Sequence, residues 1–182
     1  MNEKSKRRLQ LAALLLVFAL PLGIAWLLSS NGWHPQRTRS SGVLVDPPRN
    51  LANVVVTLKD GRRLDWTDAQ LHWTLLAMPG LRCGTNCMNR LEETLRMRIT
   101  LTHDADRLRI VYLGPTLPSE FVASHQQLLM GRDDTNAFAH ERARADDSLA
   151  LALVDPRGWL MMRYPDGYSA QGLRSDIKKV IY

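Results

Sequence analysis

Cys83 and Cys87 are the only two cysteines in a chain of 182 residues, and Gly84-Thr85-Asn86 separates them. A dithiol at this spacing suits thiol–disulfide exchange. That chemistry needs one accessible thiolate to attack and a second cysteine to resolve the mixed disulfide. Cys83 is the expected attacker because it falls on a loop, and the neighbouring Arg82 favours a thiolate electrostatically. Arg82 also reads as a plain surface charge. Cys87 is the expected resolving thiol, at the start of a helix. The other reading of the pair is an inert disulfide, although so short a ring gains little through chain entropy.

The flanking elements must present these sulfurs. An apolar run, His72-Trp73-Thr74-Leu75-Leu76-Ala77-Met78, enters the motif as a strand. A helix over Met88 to Arg98 leaves it, with Met88, Leu91, Leu95 and Ile99 at three- and four-residue steps. A strand that empties through a loop into a helix delivers side chains to the carboxyl end of a sheet, where α/β proteins place their chemistry. The helix start adds unpaired N–H groups and a positive dipole end. No acid–base pair is evident among Asp104, Asp106, Asp133, Asp134, Asp146 and Asp147, which read as loop and capping residues. Trp66, Trp73 and Trp159 read as packing.

The formal net charge is +6, and half of it sits in residues 1–8, where Lys4, Lys6, Arg7 and Arg8 face Glu3 alone. The body is therefore only mildly basic. No Lys/Arg stripe with interleaved aromatics argues for nucleic acid as a partner. Leu11 to Leu28 carries no charge and contains eleven Leu, Val, Ile or Phe residues. Together these favour bilayer insertion by roughly 3–6 kcal/mol. The basic cluster lies ahead of the run, so residues 1–8 are expected in the cytoplasm and residues 9–29 as a transmembrane anchor. Everything beyond is then exported. In a bacterium that means an inner-membrane, single-pass protein with a periplasmic C-terminal domain. Trp26 and Trp33 suit the outer interface. A cleaved signal peptide is the alternative, but Leu27-Leu28-Ser29-Ser30-Asn31 lacks an Ala-x-Ala site. Both readings leave the cysteines in an oxidising compartment.

Residues 30–50 are rich in Ser, Pro, Gly and Arg and read as a linker, with Val43-Leu44-Val45 as a short edge strand. The folded domain is expected over 51–182. Val54 to Leu58 and Arg62 to Trp66 flank an Asp60-Gly61 turn signal. Thr67 to Gln70 reads as one helical turn. Asp104-Ala105-Asp106 ends the first helix, and Leu108 to Leu113 is the next strand. Phe121, Val122, Leu128 and Leu129 suggest a second helix from Ser119 to Met130, with 131–147 irregular. Leu149 to Val154 is a continuous apolar run, hence a buried strand. Asp155-Pro156-Arg157-Gly158 is a turn and Trp159 to Tyr164 its return strand. A terminal helix from Ser169 carries Leu173, Ile177, Val180 and Ile181 on one side. This order of elements predicts an α/β, thioredoxin-like domain: a mixed sheet flanked by helices, behind one N-terminal transmembrane helix.

From Leu51 onward the chain resembles the Sco/SenC family of membrane-anchored, thioredoxin-like proteins that assist copper insertion into cytochrome c oxidase. The resemblance rests on the N-terminal anchor, Lys59-Asp60-Gly61 ahead of the central strand, the Cys-x3-Cys motif, and the late strand ending Leu153-Val154-Asp155-Pro156-Arg157-Gly158. It implies copper as a cofactor held by Cys83 and Cys87, and an oxidase subunit in the membrane as the partner. Two departures stand out. Gly84 and Met88 replace the prolines that usually follow the family's cysteines. The place of the family's copper-binding histidine, counted back from Asp155-Pro156, is held by Asp147. Copper(I) prefers soft ligands, and a carboxylate replaces imidazole poorly. Met88, Met78, His140 and His125 are the possible substitute ligands, and each reads more simply as packing or a solvated residue. His34, His72 and His103 lie in the linker or at element ends. The resemblance therefore points to thiol–disulfide exchange in copper-site assembly more than to copper carriage. A general periplasmic thiol–disulfide reductase and a non-catalytic scaffold of the same fold are the alternatives.

Overall fold

The computed structural model describes residues 3–30, 40–67 and 69–181. Within the first of these stretches, the side chains at 3–5, 7–9, 11, 12, 25, 28 and 29 are outside the description. The chain divides into two compact units, Met1–Arg39 and Ser40–Tyr182.

The first unit contains α1 (Glu3–Ser30). Its described apolar side chains, among them Leu15, Val17, Phe18, Leu22 and Trp26, are exposed. Among the described residues no helix is long and apolar enough to cross a membrane. The expected span includes positions 11, 12, 25 and 28, outside the described side chains. Trp33, His34 and the rest of 31–39 also lie outside the described residues.

The second unit is built on seven strands: β1 (Val43–Asn50), β2 (Val56–Leu58), β3 (Trp73–Pro79), β4 (Leu108–Tyr112), β5 (Leu128–Asp133), β6 (Leu149–Val154) and β7 (Trp159–Tyr164). They form one sheet in the order β1-β7-β6-β3-β4-β5-β2. β3, β4 and β5 run parallel; the other pairings are antiparallel. α2 (Thr85–Ile99) connects β3 to β4, α3 (Ser119–Ser124) precedes β5, and α4 (Ala170–Ile181) ends the domain. The expected mixed α/β sheet of thioredoxin type is the architecture observed.

β3 is central because it can be buried on both faces. Leu75 and Ala77 join one apolar cluster with Leu91, Leu95, Ile110, Tyr112, Leu173 and Ile177. Leu76 and Met78 join the other with Leu51, Trp66, Val111, Phe138 and Val154. This alternation follows the two-residue period of a strand. A strand covered on both sides reads as continuous apolar sequence. α2 and α4 cover the first face. Burying Leu91 and Leu95 on α2 contributes roughly 1.5–3 kcal/mol each.

Three expectations need correction. The second helix does not run to Met130: α3 stops at Ser124, and Leu128 and Leu129 begin β5. Their partners Ile110 and Val111 on β4 supply backbone bonds and apolar contacts that a helix would forgo. The edge strand expected at Val43-Leu44-Val45 is present but longer than expected: β1 runs on through the linker stretch to Asn50 and meets β7 through Val43↔Arg163 and Asn50↔Trp159. Pairing thus begins ahead of the expected domain start at Leu51. Finally, the hairpin around Gly61 is short. Arg62 to Trp66 contributes only a bridge from Arg63 to Thr57, and β2 pairs instead with β5. The helical turn expected at 67–70 includes Asp68, outside the described residues.

Candidate functional site: a strand–helix dithiol

β3 ends at Pro79, and α2 begins at Thr85 with Gly84 as its N-cap. The intervening loop carries Cys83. Cys87 falls in the first turn of α2, which starts three residues ahead of the Met88 start expected. The two sulfurs are joined in a disulfide with the Cα atoms 5.0 Å apart. Cys87 is fully buried, with Leu91 and Leu95 beside it in the core, whereas Cys83 is half-buried. An incoming thiol therefore reaches Cys83 first.

A helix start leaves unpaired amide groups. Gly84 has no side chain to cap them, and the first turn of α2 contains no acid. The cap comes from across the sheet. Asp147 accepts the Cys87 amide N–H through Oδ1 at 3.0 Å and the Asn86 N–H through Oδ2 at 3.1 Å. These bonds, that from Cys87 foremost, hold its carboxyl below the usual carboxylate range. Asp147 sits at φ +54°, a left-handed conformation that Asp tolerates better than most residues.

The sheet register explains how Asp147 gets there. β3 and β6 pair antiparallel, with Pro79 opposite Leu149. One step beyond the ladder, Gly80 N–H donates to the Ser148 carbonyl at 3.3 Å. The next residue back is Asp147. A Cβ on Gly84 would lie 3.0 Å from its carboxylate, so the bare backbone leaves room for that seat. Arg82 reaches Asp146 at 3.4 Å, but both side chains are well exposed and the pair contributes little.

The other possible ligands are dispersed. Met78 is buried in the core face opposite Cys87, and Met88 packs at the edge of the Cys87 cluster. His125, at the end of α3, hydrogen-bonds the Phe121 carbonyl at 2.8 Å and stacks on its ring. His140 lines a separate cavity of about 310 Å³ with Arg144 and Arg163. His72 and His103 sit at the edge of β3 and in the turn after α2. Trp66 is core, its indole N–H bonded to the Val54 carbonyl at 2.7 Å. Among the described residues no three His, Cys, Asp or Glu side chains are grouped to hold a metal. The reduced pair offers two soft sulfurs, but the third position presents a hard carboxylate already committed to two amides. These donors do not complete a three-ligand copper(I) site.

The structural role of Asp147 was not legible from its neighbours in sequence. The one signal was negative: a helix opening Gly-Thr-Asn-Cys without an acid to cap it.

The sheet order, the dithiol at a strand–helix junction and the buried resolving cysteine define a thioredoxin-like domain. The chain belongs to the family described as transmembrane-like, thioredoxin-like, C-terminal domain, whose model matches residues 73–181 and so takes in both cysteines. Among solved structures it is similar to yeast Sco1 with copper bound, at 16% identity and a TM-score of 0.55, covering 69% of this chain and 88% of that one. It is also similar to apo Sco1 from Thermus thermophilus, at 15% identity and a TM-score of 0.54, covering 80% and 99%. Peroxiredoxin Q from Xanthomonas campestris follows at 13% identity and a TM-score of 0.51, covering 80% and 100%. At these identities the likeness is one of fold. No curated protein sequence matches the chain.

Proposed function

We propose that this chain is a membrane-anchored thiol–disulfide exchange protein acting outside the cytoplasm, with an exported or membrane-embedded protein thiol pair as its substrate. The observation that carries the reading is the pairing of a half-buried Cys83 with a fully buried Cys87 at the mouth of the sheet. In the reducing direction, Cys83 thiolate attacks one sulfur of a partner disulfide. The partner's other sulfur leaves with the electron pair and takes a proton. Cys87 thiolate then attacks Cys83 Sγ and releases the second partner thiol. Two electrons and two protons pass to the partner, and Cys83–Cys87 is left oxidised. An exported thiol or dithiol donor must regenerate it.

The resemblance to Sco/SenC proteins, together with the Sco1 structures that share the fold, supports a partner in cytochrome c oxidase copper-site assembly. Because the donor set is incomplete, the proposal is electron transfer to the copper-binding cysteines of that partner and not carriage of the metal. The anchor is supported by the basic residues at 4–8 and by the exposed apolar side chains of α1.

The test is a trapping experiment. Cys87→Ser leaves the attacking sulfur without a resolver and is expected to accumulate mixed disulfides with an exported protein. Cys83→Ser and the double variant are expected to trap none. A Cys87→Ser protein with no adducts in cells that make the oxidase would return the domain to a scaffold role.

A further inference from the structure

A carboxylate at this helix start alters the chemistry of the sulfurs as well as the local fold. An uncapped helix N-terminus stabilises negative charge on a nearby thiolate through its free N–H groups and dipole. Here two of those donors, on Asn86 and Cys87, are taken by Asp147. An aspartate side chain in that place is ionised at neutral pH. Where the helix end would have presented a partial positive charge to sulfur, the site presents a full negative one. Arg82, the cation whose charge reaches the Asp147 carboxyl, is exposed and drawn to Asp146, so water and salt screen it. Gly84 matters for the same reason, since any side chain there would crowd the carboxylate.

We infer that Asp147 is a positioning residue that biases the Cys83–Cys87 pair toward the disulfide, making the reduced form a strong electron donor. The inference rests on the exchange reading above and gives that exchange a direction. When an external thiolate bonds to Cys83 Sγ, the Cys83–Cys87 bond breaks and its electron pair goes to Cys87 Sγ, which then takes a proton from water. Cys87 is the residue whose amide Asp147 holds, so charge developing on its sulfur is opposed. The carboxylate thus disfavours the thiolate fraction of the reduced pair, and the reverse step, in which the pair hands two electrons and two protons to a partner disulfide, removes that charge. The substrate class is accordingly an oxidised protein dithiol that must be delivered reduced.

The test uses the full chain in mild detergent, equilibrated at neutral pH with reduced and oxidised glutathione. Wild type is compared with Asp147→Asn and Asp147→Ser. Both substitutions remove the charge and keep one oxygen acceptor in place of the two that bond the Asn86 and Cys87 amides. The expected result is a shift of about tenfold toward the dithiol in both variants, which corresponds to about 30 mV. Melting temperatures of oxidised and reduced forms supply the readout that a purely structural cap would not move. Loss of a cap lowers both forms equally, whereas loss of the charge changes the gap between them. An exchange constant within twofold of wild type in either folded variant, or a shift toward disulfide, overturns the inference while leaving the exchange reading intact. If wild type itself resists both glutathione and dithiothreitol, the exchange reading fails and this inference falls with it.

Discussion

The Asp147 carboxylate and the Cys87 amide lie 3.0 Å apart although 60 residues separate them in the chain. The contact fastens the segment before β6 to the helix that carries the resolving cysteine. It also occupies the place where the resemblance to copper-binding relatives calls for an imidazole.

Copper binding should therefore be weak. With the dithiol reduced, titration of copper(I) against a chromophoric competitor is expected to show no tight one-to-one complex. A stoichiometric complex that needs both Cys83 and Cys87 and survives the competitor would restore the metal-delivery reading.

The Asp147 cap should give an acid-dependent share of stability. Its carboxyl is held below the ordinary value of 3.8 in the folded chain. A group depressed in this way contributes stability that is fully present above its unfolded value and is lost as pH falls through the folded one. The melting temperature of wild type should exceed that of Asp147→Asn near neutral pH, and the gap should close in strong acid. Asp60 and Asp134 are also depressed. Both are present in either protein and largely cancel in the difference. A gap that stays constant down to about pH 2 would refute the assignment.

Gly80 should tolerate no side chain. A Cβ there runs into the backbone carbonyl oxygen of Ala145, and backbone has little room to yield. Gly80→Ala is expected to cost ~1–3 kcal/mol. The obstructed segment carries Asp147, so the same variant should shift the glutathione equilibrium in the direction of Asp147→Asn. A destabilised variant with a wild-type exchange constant would uncouple the two.

Asp176 should hold the start of the domain. It is 3% exposed and accepts the Ser41 N–H at 2.7 Å and the Gly42 N–H at 3.1 Å, with Lys179 Nζ at 3.2 Å from its other oxygen. Asp176→Ala leaves those donors without an acceptor, at about 1–3 kcal/mol. A drop of several degrees in melting temperature is expected, at ~2–4 °C per kcal/mol for a domain of this size. Hydrogen exchange should speed up first at Ser41 and Gly42. Unchanged protection at those amides would show that β1 pairing alone secures the segment.

The orientation in the membrane can be read from fusions at the C-terminus. A phosphatase that works only after export should be active, and a reporter that works only in the cytosol should be silent. Deleting residues 1–30 should reverse both. Any other pattern removes the anchor from the proposal.

Much of this architecture follows from sequence pattern alone. β3, β6 and β7 are apolar runs bounded by turn residues, α2 and α4 repeat at helical spacing, and a Cys-x3-Cys motif between strand and helix announces a dithiol. These features are local, because a strand or an amphipathic helix must expose its periodicity in consecutive residues. β5 was hidden for the same reason. Phe121, Val122, Leu128 and Leu129 fall seven residues apart in pairs, a spacing that serves a helix, and only the β4 edge turns the second pair into strand. β1 was legible only in part: Val43-Leu44-Val45 reads as a short edge strand, but the stretch through Pro47-Pro48 looks like tether until β7 supplies its partner.

Asp147 is the clearest case of what folding alone decides. Its neighbours in the chain make it one more acidic loop residue. Pairing of β6 with β3 carries it past Gly80 to a helix end without a cap of its own, where its carboxylate takes the Asn86 and Cys87 amides in short-range hydrogen bonds. Those forces fall off within a few ångströms, so their effect depends on which residues the sheet register brings together, and no spacing along the chain encodes that.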